Sequence, residues 1–193
     1  MKLPPYGSFA PSLIAYAPVH YATEQSIERS GIPFTILRVN SYANNVFWWL
    51  PPILASGRWI TSAGEGRTAY IDRLDVARTA AAALTNSEAL GRVDLGGPEA
   101  LSTSDIASIA KDIFDISIAL QQVTDEQREA SIVAAGLPAG VAKHLTSVDA
   151  TTRNGGFDGV NDLVVRLTGV PPRRFRDFLI ENRDGLLAAR AAK

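Results

Sequence analysis

The sequence predicts an α/β fold in which short parallel strands alternate with helices, and three observations carry that prediction. The run Phe34 to Val39 is apolar almost throughout and rich in β-branched residues, as in a parallel strand covered on both faces. A helical stretch, Val19 to Ser30, precedes it and is stopped by Gly31, and the amide-rich turn Asn40-Ser41-Tyr42-Ala43-Asn44-Asn45 follows it. Strand-like and helix-like stretches then alternate towards the C-terminus.

Composition bounds the rest. The 193 residues suffice for one domain or a large part of one, and 46% hydrophobic with 20% charged residues is ordinary globular usage. A net charge of -1 gives no electrostatic footprint for nucleic acid. With no cysteine there is no disulfide or thiolate chemistry, two histidines argue against a zinc site, and a reducing, cytoplasmic setting is expected. Residues 1–18 contain Pro4, Pro5, Pro11 and Pro18 and are expected to be an irregular leader without the apolar core of a signal peptide. The apolar stretch Val46 to Ala55 is too short to span a bilayer, so no membrane span is expected.

In the first helix, His20 and Glu24 stand four residues apart and share a face with Ile27. Two roles stay open for the pair: a polar pair on a helix surface, or an imidazole facing the strand end, near a bound ligand, where it can donate a proton or hold a polar group. In open α/β sheets ligands sit beyond the carboxyl ends of the strands, where Asn40, Tyr42, Asn44 and Asn45 would project. The plainer alternative is a strand followed by a helix cap.

Asn45 to Ser56 carries Phe47, Trp48 and Trp49 before Pro51-Pro52, which is expected to interrupt the helical pattern. Neighbouring helical residues point about 100° apart, so three adjacent aromatics cannot all face one core. At least one should line a cleft or a partner surface; because the segment follows the proposed binding loop, Asn45, Trp48 and Trp49 are placed on a substrate-pocket wall, against the alternative of packing beneath a long loop. Arg58 to Thr61 and Thr68 to Ile71 read as short strands. The intervening string Gly64-Glu65-Gly66-Arg67-Thr68-Ala69 matches G-x-G-x-x-A in letters only, because a strand-like run follows it where a phosphate-binding helix should open.

Asp72 caps a helix from Asp75 to about Leu84, and Gly91 to Leu95 is a short strand ending in a turn. Ser102 to Asp105 resembles a capping box for a helix whose core positions are Ile106, Ile109, Ala110 and Ile113. Ile116 to Val123 is a strand candidate, Thr124 to Gln127 opens a helix ending at Gly136, and Pro138 starts another reaching His144 and Leu145. Thr151 to Gly159 reads as the most flexible loop, and Leu163 to Leu167 and Pro171 to Leu187 read as two final helices. Arg173, Arg174 and Arg176 read as a solvated basic face.

Several motifs occur together and in order: His20-Tyr21-Ala22-Thr23-Glu24, Ser30 to Arg38, Asn40-x-Tyr42-x-x-Asn45, Gly64-x-Gly66-Arg67 and Gly97 to Ser102, with Ala134 to Pro138 and Leu167-Thr168-Gly169 beyond them. With these the chain resembles the NmrA-like atypical short-chain dehydrogenase/reductase family, in the branch of NAD(P)H:quinone oxidoreductase type 2 and the triphenylmethane and azo-dye reductases. The resemblance implies the C-terminal part of a Rossmann-like NAD(P)-binding fold with a small α/β substrate lobe, spanning residues 19–193. It implies hydride transfer from NADP or NAD, with NADP preferred, to a quinone or dye-like acceptor. By the same resemblance Val39, Asn40, Ser41, Tyr42 and Asn44 contact the nicotinamide end, and His20 and Glu24 stand where other members carry a Tyr-x-x-x-Lys pair.

The family's opening Gly-rich strand-turn-helix is not found in this sequence. The chain alone is therefore expected to bind cofactor weakly or not at all and to be inactive. Its strand is expected to expose an apolar edge, which leaves open a homo-oligomer or pairing with a separate N-terminal half. A non-enzymatic NAD(P)-sensing or interaction protein of the NmrA type, or an inactive fragment, are the alternatives to an oxidoreductase.

Overall fold

The computed structural model describes residues 17–191. Most of the expected leader therefore lies outside the described residues, and residues 17 and 18 already belong to the first helix, α1 (Ala17–Arg29). The strand β1 (Thr35–Val39) pairs in parallel, in register from Thr35 with Gly91 to Val39 with Leu95, with β4 (Gly91–Leu95). Between them in sequence run α2 (Val46–Ser56), β2 (Arg58–Thr61), β3 (Arg67–Thr68) and α3 (Arg73–Thr85). There follow β5 (Leu101–Ser102), α4 (Thr103–Phe114), β6 (Ala119–Gln122), α5 (Asp125–Ala134), α6 (Ala139–Arg153), α7 (Leu163–Thr168), α8 (Phe175–Glu181) and α9 (Arg183–Ala191). β2 pairs in parallel with β6, and β3 antiparallel with β5.

The two-residue period of the strands sorts the β1–β4 pair into two faces. Leu37, Val39, Val93 and Leu95 pack with Val76 of α3 and Leu163, Val164 and Leu167 of α7. Arg38 and Arg92 turn to the opposite face, where α1 supplies Glu24 and Glu28. Helices thus cover both faces, yet every residue of β1 is only half-buried. Two strands are too narrow to enclose their own side chains, and the continuous apolarity of Phe34 to Val39 overstated the cover.

The larger core lies beside this pair. Val46, Leu50 and Leu54, one helical turn apart on α2, meet Ile106, Ala110 and Phe114 of α4, Phe175, Phe178 and Leu179 of α8, and Leu186 of α9. This packing explains why Pro51 and Pro52 do not interrupt α2, contrary to the sequence expectation. Each proline costs about 3 kcal/mol inside a helix, whereas full burial of each of the three apolar side chains returns about 1.5–3 kcal/mol. The helix stops instead at Gly57, whose φ of 65° allows its N–H to donate to the Ile53 carbonyl.

Local signals of short range are obeyed. Asp72 caps α3, Ser102 and Asp105 form a capping box on α4, and Thr124 and Gln127 form another on α5. The Ser102 amide and hydroxyl, together with Arg67, hold the Asp105 carboxyl below the usual range. Replacing Ser102 by Ala is expected to cost about 1 kcal/mol. The contribution of Asp105 is present above the ordinary aspartate pKa and is lost as the pH falls through its lowered value. In Ser102→Ala that acid-side loss should be smaller and complete at a higher pH, as read from urea midpoints across the acid range.

Three expectations need correction. The segment 151–159 is not a flexible loop: α6 runs to Arg153, and Thr151, Thr152, Gly156 and Phe157 are buried. The final helical stretch divides at Asn182 into α8 and α9, with α7 before them, giving three helices. The arginines form a solvated face only in part: Arg174 and Arg176 are exposed and pair with Glu99 and Asp112, whereas Arg173 is half-buried between Asp72 and Glu181. Each ties the C-terminal helices to an earlier element.

Candidate functional site

At the carboxyl end of β1 the chain turns through residues 40–45, and backbone bonds fix that turn in place. The Asn40 N–H donates to the Leu95 carbonyl (2.9 Å), Ile71 N–H to Ser41 (3.0 Å), and Ala43 N–H to Ile71 (2.8 Å). A parallel bridge joins Tyr42 to Ile71, and Ala43–Asn45 form a single 3-10 turn leading into α2. The strand-end loop is thereby sewn to the segment that connects β3 with α3.

The amides expected to bind a ligand divide by what they already hold. Asn40 Nδ2 donates to the Phe157 carbonyl (2.7 Å), and its Oδ1 accepts the Ser41 N–H (3.0 Å). Asn44 Oδ1 accepts the Arg73 N–H (3.0 Å) at the start of α3. Both side chains brace the loop. The half-buried hydroxyls of Ser41 and Tyr42 make no hydrogen bond among the described residues and are the polar groups the loop can offer a ligand. Val39 packs its side chain against the α3–α7 face, and Asn45 is exposed.

Trp48 and Trp49 separate completely. Trp48 is 85% exposed. Trp49 stacks on Trp59 at 5.1 Å, beside Tyr70 at 6.4 Å, and Tyr70 in turn meets Phe175 at 4.8 Å. Within that aromatic stack burial pushes the Tyr70 phenol up to about 12, so it stays protonated. A cavity of about 470 Å³ lies elsewhere, at the carboxyl ends of β2 and β6, lined by Ser62, Gly64, Gln122, Thr124, Asp125 and Arg153 among others. None of the residues expected at the pocket belongs to it.

On α1 the helical pair also divides. His20 is exposed, whereas Glu24 is buried, and its carboxylate accepts from Arg38 Nε (3.0 Å) and Nη2 (2.6 Å) with Arg92 Nε at 3.6 Å. This hydrogen bond is the main cause that raises the Arg38 pKa, and burial raises that of Asp94, which faces Arg38 across the strands. The bidentate pair fixes α1 on the sheet and engages Glu24 on both oxygens. Sequence reasoning missed Arg38, Arg92 and Asp94; the available signal was charge at alternate positions of two strands otherwise apolar.

Gly96 and Gly97, first read as a simple turn, are close-approach positions. A Cβ on Gly96 would overlap the Gly159 carbonyl, and one on Gly97 would overlap the Tyr70 carbonyl. The end of β4 is thereby pressed against the segments that carry the strand-end loop. Among the described residues no group of three or more His, Asp or Glu is placed to hold a metal ion, and no helix is long and apolar enough to cross a membrane.

A parallel strand pair with helices on both faces and a braced loop at its carboxyl end defines a Rossmann-like α/β protein, and comparison with solved structures agrees. The Escherichia coli quinone oxidoreductase QOR2 complexed with NADPH superposes with a TM-score of 0.83 at 26% identity, over 89% of this chain and 61% of that one. The Citrobacter sp. triphenylmethane reductase complexed with NADP(H) gives 0.80 at 25% identity, over 93% and 63%. The negative transcriptional regulator NmrA gives 0.66 at 15% identity and shares the fold. In sequence, quinone oxidoreductase 2 of Escherichia coli K12 is 29% identical over 161 residues, 83% of this chain and 56% of that protein. No family model matches the chain. It spans between 54% and 57% of the length of the first curated relatives it matches. In sequence and fold the chain thus resembles the NmrA-like atypical short-chain dehydrogenase/reductase family.

Proposed function

We propose that this chain carries the nicotinamide-end and substrate-lobe portion of an NAD(P)H-dependent oxidoreductase acting on a quinone or dye-like acceptor, with residues 19–193 as its folded part. The observation that carries the reading is the loop at the carboxyl end of β1, where Asn40 and Asn44 are spent on bracing and Ser41 and Tyr42 keep their hydroxyls available. Two hydroxyls that both donate and accept suit a carboxamide. Bound NADPH, preferred here over NADH, would supply the hydride; Ser41 and Tyr42 would meet its nicotinamide end, and Val39, Asn40 and Asn44 would shape the cradle by anchoring the loop.

His20, on the exposed side of α1, would hold a polar group of the acceptor or supply a proton, and Glu24 serves it indirectly through the Arg38 pair. Asn45 and the exposed Trp48 are the residues left to meet an acceptor at the rim, with Trp49 as their packed support. Among the described residues no glycine-rich turn opens a helix at the end of a parallel strand, so the pyrophosphate has no backbone cradle here. A polypeptide that adds such a unit along the β1 edge, joined to this chain or separate, would complete the site.

Calorimetric titration of the 193-residue chain with NADPH tests this. The expected affinity is weaker than micromolar, and micromolar binding would contradict the incomplete grip. Assays with NADPH and a quinone, after addition of the glycine-rich portion of a related reductase, should show turnover. Cofactor binding without turnover would instead favour a sensor of the NmrA type.

A further inference from the structure

Phe157 joins three parts of the candidate site that are far apart in sequence. Its carbonyl accepts both the Asn40 Nδ2 hydrogen bond (2.7 Å) and the Ala69 N–H (2.8 Å). Its ring is 5% exposed and packs with Ala17, the fully buried first residue of α1, and with Val148 of α6. Ala17 lies three residues before His20, one helical turn away on the same side of α1. The backbone around Phe157 is itself constrained: Gly155 N–H donates to Thr152, Gly156 N–H to Thr151, and a Cβ on Gly156 would crowd the Thr151 side chain.

From this geometry we infer that residues 155–159 form a strap that fixes the strand-end loop relative to the His20 turn, with Phe157 as a positioning residue and Asn40 as its catch. The inference rests on the proposed nicotinamide-end reading of that loop and deepens it. The Asn40 side chain does not meet a ligand. Its donor holds the strap and its acceptor holds Ser41, so the Ser41 and Tyr42 hydroxyls keep one orientation. The Phe157 ring, seated on Ala17, sets how far the His20 turn stands from them. A strap of two glycines followed by a buried aromatic suits this role, since the backbone must pass close to α6 before the ring turns inward.

Nuclear magnetic resonance on the intact chain tests the strap without cofactor, so its failure is distinguishable from failure of the nicotinamide reading. In the wild type the Asn40 side-chain amide protons should exchange with water at least about tenfold more slowly than those of an exposed amide. Asn40→Asp keeps the acceptor for Ser41 and replaces the donor by a charge that the Phe157 carbonyl repels. It should shift the His20 Cε1–H resonance and speed exchange at residues 155–159. The matched change Asn161→Asp, at a neighbouring amide that donates to the Asp94 carbonyl, should leave His20 unmoved. If Asn40→Asp does not fold, Phe157→Leu keeps the carbonyl and should move the His20 resonance while Asn40 stays protected. Rapid exchange at Asn40 in the wild type, or a His20 resonance indifferent to the Asn40 and Phe157 changes, would overturn the inference.

Discussion

Glu24→Ala is expected to lower the free energy of unfolding by about 3–5 kcal/mol, the range for breaking one half of a buried ion pair. The Glu24 side chain is 7% exposed and that of Arg38 13%, and the guanidinium uses two N–H groups on the carboxylate. Removing Glu24 strands that charge between α1 and the sheet, with Asp94 across the strands as the nearest remaining compensation on β4. The double change Glu24→Leu with Arg38→Met should recover most of the loss, because an apolar pair of similar volume has no desolvation to offset. Urea unfolding with an unchanged slope would register both results. A loss below about 1 kcal/mol in Glu24→Ala would mean that the pair behaves like an exposed one.

Gly97→Ala should be nearly as damaging for a steric reason, costing about 3 kcal/mol, the upper end of the overpacking range. The added methyl meets the backbone carbonyl of Tyr70, which cannot swing aside as a flexible side chain would. The Gly97 N–H also donates to the Ala69 carbonyl (3.2 Å), and Ala69 and Ile71 are the residues that hold Phe157 and the strand-end loop. Displacement there passes directly to the proposed site. Gly159→Ala is the control: nothing lies within 4 Å of its added Cβ, and its cost should stay within about 0.5 kcal/mol. Equal midpoints for the two variants would refute the close-approach account.

What the sequence made legible was local or periodic. The helix–strand–turn series from α1 to Asn45 follows from apolar continuity bounded by glycine, and the capping boxes at Ser102 and Thr124 need only four residues to declare themselves. The segment around Phe157 was illegible because Asn154-Gly155-Gly156 has the composition of a loop, while its order draws, beyond nearby bonds to Thr151 and Thr152, on Ala17, Asn40 and Ala69, each more than eighty residues away. Pro51-Pro52 misled for a related reason: local propensity disfavours the helix, and the partners that hold Leu50 and Leu54 in place lie on α4, α8 and α9. At the candidate site the amide-rich turn was correctly placed at a strand end. Sequence alone could not tell which amides brace and which groups remain for a ligand, because Asn40 and Asn44 reveal their partners only in the folded chain.

The central claim is that the loop following β1 receives the nicotinamide end of a dinucleotide. Reduced nicotinamide mononucleotide carries that end without the adenosine half, so it asks nothing of a pyrophosphate grip. Titrating the isotopically labelled chain to roughly millimolar ligand, where even a weak contact is populated, should shift backbone amides of residues 39–44 together with the His20 ring and little else. Shifts confined to the cavity at the ends of β2 and β6, around Ser62, Gln122 and Asp125, or no shifts anywhere, would contradict the claim.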